Sequence, residues 1–176
     1  MTTAACAVRA ATPGDAPEVV RLRQAMFDAM GVSAPQDGGA AWRARAVEML
    51  RAELSAGASD TASGAAPGRY GVFVVDDPEE PGRLAACAVG TIEERLPAPK
   101  HPDGLFGFVF NICTDPARRR RGYARACTEA LLAWFDARGV TRIDLHATPD
   151  GEALYRALGF TEHSLALSRE PRHQAC

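Results

Sequence analysis

The sequence has 176 residues, of which 47% are hydrophobic and 24% charged, with a formal net charge of −2 at pH 7. These values predict a soluble globular domain with a core of its own. They argue against a general nucleic-acid binder, which is more often basic overall. The five cysteines form no CxxC pair and the four histidines lack HxxxH spacing, which disfavours a zinc site or a disulfide framework. No signal peptide or membrane-spanning run is recognisable, so we expect a cytoplasmic protein.

The first half of the chain predicts a strand, two helices and a loop. Residues 6–12 alternate loosely, as in a short strand, and a break at residues 13–15 leads into a helix that runs to about Met30. Residues 41–54 predict a second amphipathic helix. A Gly/Ala/Ser-rich stretch at 55–69 then predicts a flexible loop.

The second half predicts a hairpin, a central strand and a strand–helix–strand unit. Strands at 70–77 and 84–95 form the hairpin, and the almost continuously apolar stretch 105–114 is typical of a central strand. The later predicted elements are a helix that begins after Arg121 and is capped by Gly139, a strand at 140–148, a helix at 150–158, a last strand from Phe160 and a frayed tail at 169–176. This order predicts a single domain, with its core at about 6–168, built on one mixed sheet with helices on both faces.

Four consecutive arginines stand where the helix after the central strand begins: Arg118, Arg119, Arg120 and Arg121. A helix dipole is already positive at this end, so the cations are mildly unfavourable there. However, the first turn of a helix leaves backbone N–H groups free to bind an anion. Gly122 permits a close backbone approach, and the arginines supply countercharge. The pattern therefore predicts a phosphate cradle; a solvated charged turn is the alternative.

At these residues the chain resembles the GNAT superfamily of N-acetyltransferases. The segment RRRGYA fits that family's acetyl-CoA signature, [Q/R]-x-x-G-x-[G/A], with Arg119, Arg120, Arg121, Gly122, Tyr123 and Ala124. Residues 151–160 resemble the late G-x-x-x-[L/F]-Y-x-x-x-G-F segment, and residues 8–15 resemble the opening IRxATxxD. The resemblance spans residues 7 to about 168 in the right order.

The resemblance implies an α/β (α+β) GNAT fold: a mixed, mostly antiparallel sheet of about six to seven strands, whose splayed central strands hold CoA. It implies transfer of an acetyl group from acetyl-CoA to a primary amine by direct attack, with no metal. Backbone N–H groups of the signature would bind the pyrophosphate. The preceding strand edge would bind the pantetheine and the thioester through the backbone of Ile112, Cys113 and Thr114. Family members often form homodimers, so a homodimer is compatible with the resemblance.

The resemblance also implies that Tyr155 is the general acid, because the family's proton donor is a tyrosine at this place. A packing role is the alternative, since the neighbouring Leu154 and Leu158 form a buried helical stripe. The general base is sought at Glu93 or Glu94, one of which should face the cleft by strand alternation. A solvated hairpin edge is the alternative for both.

Two further polar residues are candidates for contact with the substrate. Asn111 lies in the apolar central strand and needs a hydrogen-bond partner, which would be a water or the substrate. His146 is a candidate proton relay, and a structural role is the alternative. A relay through water would take the place of Glu93, Glu94 and His146 as the base.

Two rival functions stay open. One is a non-catalytic CoA-binding regulatory module, and the other a nucleic-acid or protein interaction domain that uses the arginine patch. The single cluster, with Tyr123 as its only aromatic, disfavours nucleic acid. The amine acceptor is also open between a small primary amine, an amino-acid-like metabolite, an antibiotic and the N-terminus or a lysine of a peptide or protein. The loops that would build its pocket, at 31–39 and 96–104, carry no acidic cluster.

Overall fold

The computed structural model of the protein describes residues 7–32, 39–58, 68–163 and 168. The chain divides into two compact units, Met1–His146 and Ala147–Cys176. In chain order the elements are β1 (Val8–Ala10), α1 (Ala16–Ala29), α2 (Ala40–Ala58), β2 (Tyr70–Asp76), β3 (Leu84–Glu94), β4 (Leu105–Thr114), α3 (Tyr123–Asp136), β5 (Arg142–Leu145) and α4 (Pro149–Ala157). Within these ranges no helix is both long and apolar enough to cross a bilayer.

The strands of the first unit form one mixed sheet in the order β1-β2-β3-β4-β5. Neighbours pair antiparallel from β1 to β4, whereas β4 and β5 run parallel. Parallel neighbours need a long crossover connection, and α3 supplies it between β4 and β5. The predicted strand–helix–strand unit is therefore confirmed.

The core lies on both faces of this sheet. Helices α1 and α2 cover one face, where Leu22 packs with Val74 and Cys87. Helix α3 covers the other, where Leu131 and Phe135 pack on the small side chains of β3. The helix approaches the sheet closely because Gly90 and Gly107 lie under the Phe135 ring: a Cβ there would lie 2.7 and 2.9 Å from ring atoms.

The element order predicted from the sequence is confirmed as far as β5 and α4, with three differences. Helix α2 continues to Ala58, so the start of the predicted loop at 55–69 is helical; residues 59–67 lie outside the described ranges. Strand β5 is limited to Arg142–Leu145. The prediction of a last strand is wrong for residues 160–163, which are not in a strand. A single Phe followed by polar residues offers no apolar face there.

The described sheet therefore has five strands, fewer than the predicted six to seven. Residues 164–167 and the predicted tail at 169–176 lie outside the described part of the chain.

Candidate functional site

A bulge in the middle of β4 decides which of its side chains share a face. The β3–β4 register shifts between Val89 and Gly90, which leaves Phe110 without a partner in β3. Bulges bend a strand and change the direction of its side chains. As a result Phe110 and Asn111 are both on the α1 side of the sheet, although they are consecutive. Ile112 returns to the α3 side.

Beyond the bulge, one edge of β4 has no strand partner among the described residues. β5 pairs with β4 only as far as Val109, opposite Leu145, whereas β4 continues to Thr114. Parallel pairing thus stops five residues before β4 ends. An edge of this kind exposes backbone donors and acceptors that an extended ligand can pair with.

The backbone groups along this edge alternate between the two sides of β4. The N–H of Asp115 donates to the carbonyl of Ala85 in a 2.8 Å bond. In an antiparallel ladder the backbone groups of Cys113 then also face β3, and those of Ile112 and Thr114 face the opposite side. Of the three strand residues predicted to bind the pantetheine, the geometry therefore favours Ile112 and Thr114 over Cys113.

The Cys113 side chain is occupied within the protein. Its Sγ donates to the carbonyl of Leu22 at 2.9 Å, and burial raises the pKa of the thiol to about 11. A thiol in this state is protonated at neutral pH and is a poor nucleophile. This agrees with the expectation that Cys113 does not act through its thiol.

The arginine loop, which we define as residues 115–122, contains the start of a row of backbone donors that continues into the first turn of α3. No described group accepts a hydrogen bond from the seven consecutive N–H groups of residues 119–125. The first helical bond joins Ala126 N–H to the Gly122 carbonyl. Arg120 and Gly122 both adopt left-handed backbone conformations, with φ of 66° and 80°. Successive amides in such turns form a concavity that binds anions.

Gly122 is required here for its conformation. It is the N-cap of α3 at φ 80° and ψ 2°, where a residue with a Cβ is strained. A Cβ at this position would meet nothing within 4 Å, so the constraint on Gly122 is its backbone conformation and not a lack of space. Tyr123 and Ala124 follow as the first residues of α3, and Tyr123 packs its ring against the α3-side core.

The four arginines of the run divide into two pairs with different roles. Arg118 is buried and bonds Asp77 through Nε at 2.8 Å, with Glu79 and Glu80 also in range. Arg121 pairs with Glu79 at 3.1 Å. Arg119 and Arg120, by contrast, are exposed and have no carboxylate partner among the described residues.

Asp115 holds the other end of the arginine loop. Its carboxylate accepts from the Arg21 guanidinium at 2.7 Å and from the Ala117 N–H at 3.0 Å. Burial alone would raise the pKa of Asp115, but these hydrogen bonds and the charge of Arg21 lower it below its ordinary value. Arg21 also donates to the Leu84 carbonyl, so the loop is tied to α1 and to the start of β3.

Glu93 and Glu94 lie at the far end of the sheet from this loop. Glu93 pairs with Phe106 in the ladder, four residues, or about 13 Å, from the bulge at Phe110. Its carboxylate is held by Arg95 at 2.6 Å, and Glu94 is exposed. Neither carboxylate is therefore placed to contact a group at the bulge directly.

His146 and Asn111 lie much closer to the bulge. His146 follows the last paired residue of β5, is exposed, and stacks edge-on against Phe108 at 5.4 Å. Asn111 is 1% exposed. Its amide donates to Cys87 Sγ at 3.4 Å and accepts from Arg23 at 3.1 Å, so both of its polar atoms are engaged within the protein.

Tyr155 lies in α4, in the second unit. Its ring meets Phe160 edge-on at 6.1 Å, and a Cβ on Gly151 would lie 2.9 Å from it. Phe160 and Gly151, which both belong to the late sequence segment, therefore each lie against the Tyr155 ring. Burial raises the pKa of Tyr155, which keeps its hydroxyl protonated at neutral pH.

Two residues of this region are not found by sequence reasoning. Asp77 lies in the turn between β2 and β3, where an acid is read as a turn former. Arg23 lies on an amphipathic helix, where an arginine is read as solvated. Neither has a local signal, because each partner is distant in sequence. Among the described residues no cluster of His, Cys, Asp or Glu is arranged to hold a metal ion.

The family model of the acetyltransferase (GNAT) family matches residues 40–160, a stretch that includes β4, the arginine loop and α4. The chain belongs to the GNAT acetyltransferase family. Solved GNAT structures have the same fold. One, a GCN5-related N-acetyltransferase from Ralstonia eutropha, is 28% identical, with a TM-score of 0.72 over 93% of this chain and 97% of that one.

One further solved structure shares the fold, and one curated relative matches part of the chain. A predicted acetyltransferase from Clostridium acetobutylicum, solved with acetyl-CoA, has a TM-score of 0.74 at 19% identity, over 93% of this chain and 95% of that chain. The mycothiol acetyltransferase of Beutenbergia cavernae is 37% identical over 65 residues. That match covers 35% of this chain and only 22% of the mycothiol enzyme.

Proposed function

We propose that the protein is an acetyl-CoA-dependent N-acetyltransferase that acetylates a primary amine. The observation that carries the proposal is the row of seven N–H groups at residues 119–125, for which the described part of the chain offers no acceptor. It stands in the acetyl-CoA signature of the family to which the chain belongs. When bound, acetyl-CoA supplies the activated acetyl thioester for the reaction.

The residues of the arginine loop fit a pyrophosphate. The amides provide hydrogen-bond donors at the positive end of α3. The exposed Arg119 and Arg120 add charge, and no carboxylate of the described ranges pairs with them. The free edge at Ile112 and Thr114 continues from the loop toward the bulge, which suits an extended pantetheine arm. Backbone N–H groups at this edge are also suited to stabilise an oxyanion.

Proton transfer completes the reaction. The amine must lose a proton, and the departing thiolate can take one. His146, beside the bulge, is better placed than Glu93 or Glu94 to receive the amine proton, through water. Tyr155 is the proposed donor: it occupies the family's position, and its raised pKa keeps it protonated.

The experiment is a screen of primary amines with acetyl-CoA, read as free thiol release. We expect turnover with at least one amine class. Tyr155→Phe should lower kcat by about 100-fold or more, and Phe160→Leu, which disturbs the ring contact but keeps the hydroxyl, should lower it much less. Full turnover by Tyr155→Phe would remove the acid assignment. Binding of acetyl-CoA with no thiol release for any amine would favour a regulatory CoA-binding module.

The arginine run offers less to nucleic acid than its sequence suggests. Arg118 and Arg121 are paired with acids of the β2–β3 turn, which leaves two of the four charges free. The interaction-domain alternative is therefore the weaker of the candidate functions.

A further inference from the structure

Arg23 is a half-buried cation that has no carboxylate partner among the described residues. Its guanidinium donates through Nη1 to Asn111 Oδ1 at 3.1 Å. Its other N–H groups have no acceptor among the described residues, and no described carboxylate lies within ion-pair distance. Burial lowers the pKa of this guanidinium. Arg21, one half-turn earlier, contrasts with it because Glu18 and Asp115 both pair with that side chain.

The surroundings of Arg23 hold the guanidinium in place without neutralising it. The group lies over the ring of Phe27 at 4.7 Å and near that of Phe110 at 5.7 Å. Asn111, which fixes the third side, is itself anchored to Cys87. Arg138 Nε is the only buried side-chain N or O atom without a hydrogen-bond partner among the described residues, so the remaining N–H groups of Arg23 are open to solvent and to an anion. The arrangement is that of a pre-positioned anion binder.

The position of Arg23 connects it with acetyl transfer. Phe110 and Asn111 are the bulge residues of β4, where the parallel pairing with β5 has just ended. Phe108, which contacts His146, lies two residues before Phe110 and therefore points to the same face of the sheet as Phe110. Arg23 therefore lies beside the bulge, where the free edge of β4 begins.

We propose that Arg23 binds an anionic group, a carboxylate or a phosphate, on the amine acceptor. The acceptor would be an amino acid, a peptide with a nearby carboxylate, or a phosphorylated amine, and neutral amines would be poor substrates. A guanidinium fork matches both carboxylate and phosphate, and such charge-assisted pairs are among the stronger polar contacts. The proposal depends on the proposed acetyltransferase function, because it names the acceptor of that reaction.

The test compares acceptors that differ only in the anion. The pairs are glycine with glycinamide, L-phenylalanine with L-phenylalaninamide, and O-phosphoethanolamine with ethanolamine. Each is assayed with the wild type, Arg23→Gln, Arg23→Lys and the control Arg45→Gln. Arg45 is an exposed arginine on α2 whose only described ion pair is with Glu48. Comparing variants cancels the different intrinsic reactivities of the paired amines.

We expect the wild type to prefer the anionic member of one pair. Arg23→Gln should reduce that preference by about 10- to 100-fold, mainly through KM of the amine, with KM for acetyl-CoA unchanged. Arg23→Lys should retain part of the preference, and Arg45→Gln all of it. The pair in which the wild type prefers the anionic member will show whether the anion is a carboxylate or a phosphate. Equal use of neutral and anionic amines, or an unchanged preference in Arg23→Gln, would overturn the inference while acetyl transfer stands.

A binding measurement keeps the two proposals separable if no amine is turned over. The Arg23 Nε–H signal, assigned by its loss in Arg23→Gln, is followed by NMR during titration with N-acetylglycine and inorganic phosphate, with N-acetylglycinamide as the neutral control. A shift with either anion but not with the amide supports the site. No shift with either anion would contradict it, and absence of thiol release would separately contradict the acetyltransferase proposal.

Discussion

Arg118 Nε lies 2.8 Å from Asp77 Oδ2, and this buried ion pair ties the arginine loop to the turn between β2 and β3. The Asp77 carboxylate also accepts from the N–H groups of Glu79 and Glu80. Hydrogen bonds from Arg118 lower the pKa of Asp77. The most buried arginine of the run is thus a positioning residue: it fixes the loop from which the free amides project.

The first prediction concerns this ion pair. Asp77→Asn removes the charge that neutralises Arg118, so the loop should lose its fixed geometry. We expect a lower melting temperature and an acetyl-CoA Kd raised by about tenfold, since misplaced donors bind less well. The control is Asp76→Asn, because Asp76 is the exposed neighbour that pairs with Arg9. Equal acetyl-CoA affinity in both variants and the wild type, by calorimetry, would show that the pair does not position the loop.

The second prediction concerns the two exposed arginines. Arg119→Gln and Arg120→Gln should each weaken acetyl-CoA binding by several-fold, because a charge-assisted contact to phosphate is lost. Binding of each variant should also depend less on salt, since screening acts on exposed charge pairs. Arg45→Gln is the control. Affinities measured across a series of salt concentrations would refute the assignment if the variants and the control have the same slope.

The sequence predicted the strand, the loop and the helix that surround the proposed cradle, but it could not assign the partners of the arginines. Local signals carried the prediction: an apolar strand, four arginines, a glycine and a helical pattern. The partner of Arg118 is 41 residues away, and a sequence pattern does not reveal which distant acid will lie beside it. The same holds for Arg23 and Asn111, which are 88 residues apart.

The β4 bulge was also beyond sequence reasoning. Strict alternation in 105–114 would put Asn111 on the face opposite Phe110, toward α3. The unpaired residue at Phe110 reverses this and brings Asn111 to α1. The extent of β5 was similarly unpredictable, because its end is set by where pairing with β4 stops.

The third prediction concerns acid stability. Hydrogen bonds from Arg9, which outweigh the opposing effect of burial, lower the pKa of Asp15 from 3.8 to about 2. Because the folded pKa is depressed, the stabilisation is present above about pH 4 and lost as the pH falls toward 2. In isolation it would be at most about 2.5 kcal/mol; solvent screening of this partly exposed pair reduces it to about 1 kcal/mol.

Urea unfolding at pH 7 and pH 3 measures this effect. Asp15→Asn should lower the free energy of unfolding at pH 7 and bring it closer to the wild type at pH 3. Asp103→Asn, at an exposed acid in the loop before β4, is the control and should change neither value much. A loss in Asp15→Asn that is the same at both pH values would contradict the ionic origin.

The fourth prediction concerns the described cysteines, Cys87, Cys113 and Cys127, all of which are buried. Burial raises the pKa of Cys87 and of Cys113, so these thiols should react slowly with iodoacetamide at pH 7.5. In urea they should react at once. Peptide mapping by mass spectrometry reads each site separately, and rapid labelling of Cys113 in the folded protein would contradict its burial against Leu22.

The most direct test of the account is acetyl-CoA binding to Gly122→Ala and Gly139→Ala. Both glycines adopt left-handed conformations with open space around a Cβ, at φ 80° and 70°. Each substitution should therefore cost about 1 kcal/mol of stability. Only Gly122 lies in the row of free amides, so only Gly122→Ala should raise the Kd of acetyl-CoA, by about tenfold, in titration calorimetry. The same affinity in both variants, or no binding to the wild type, would contradict a phosphate cradle at the start of α3.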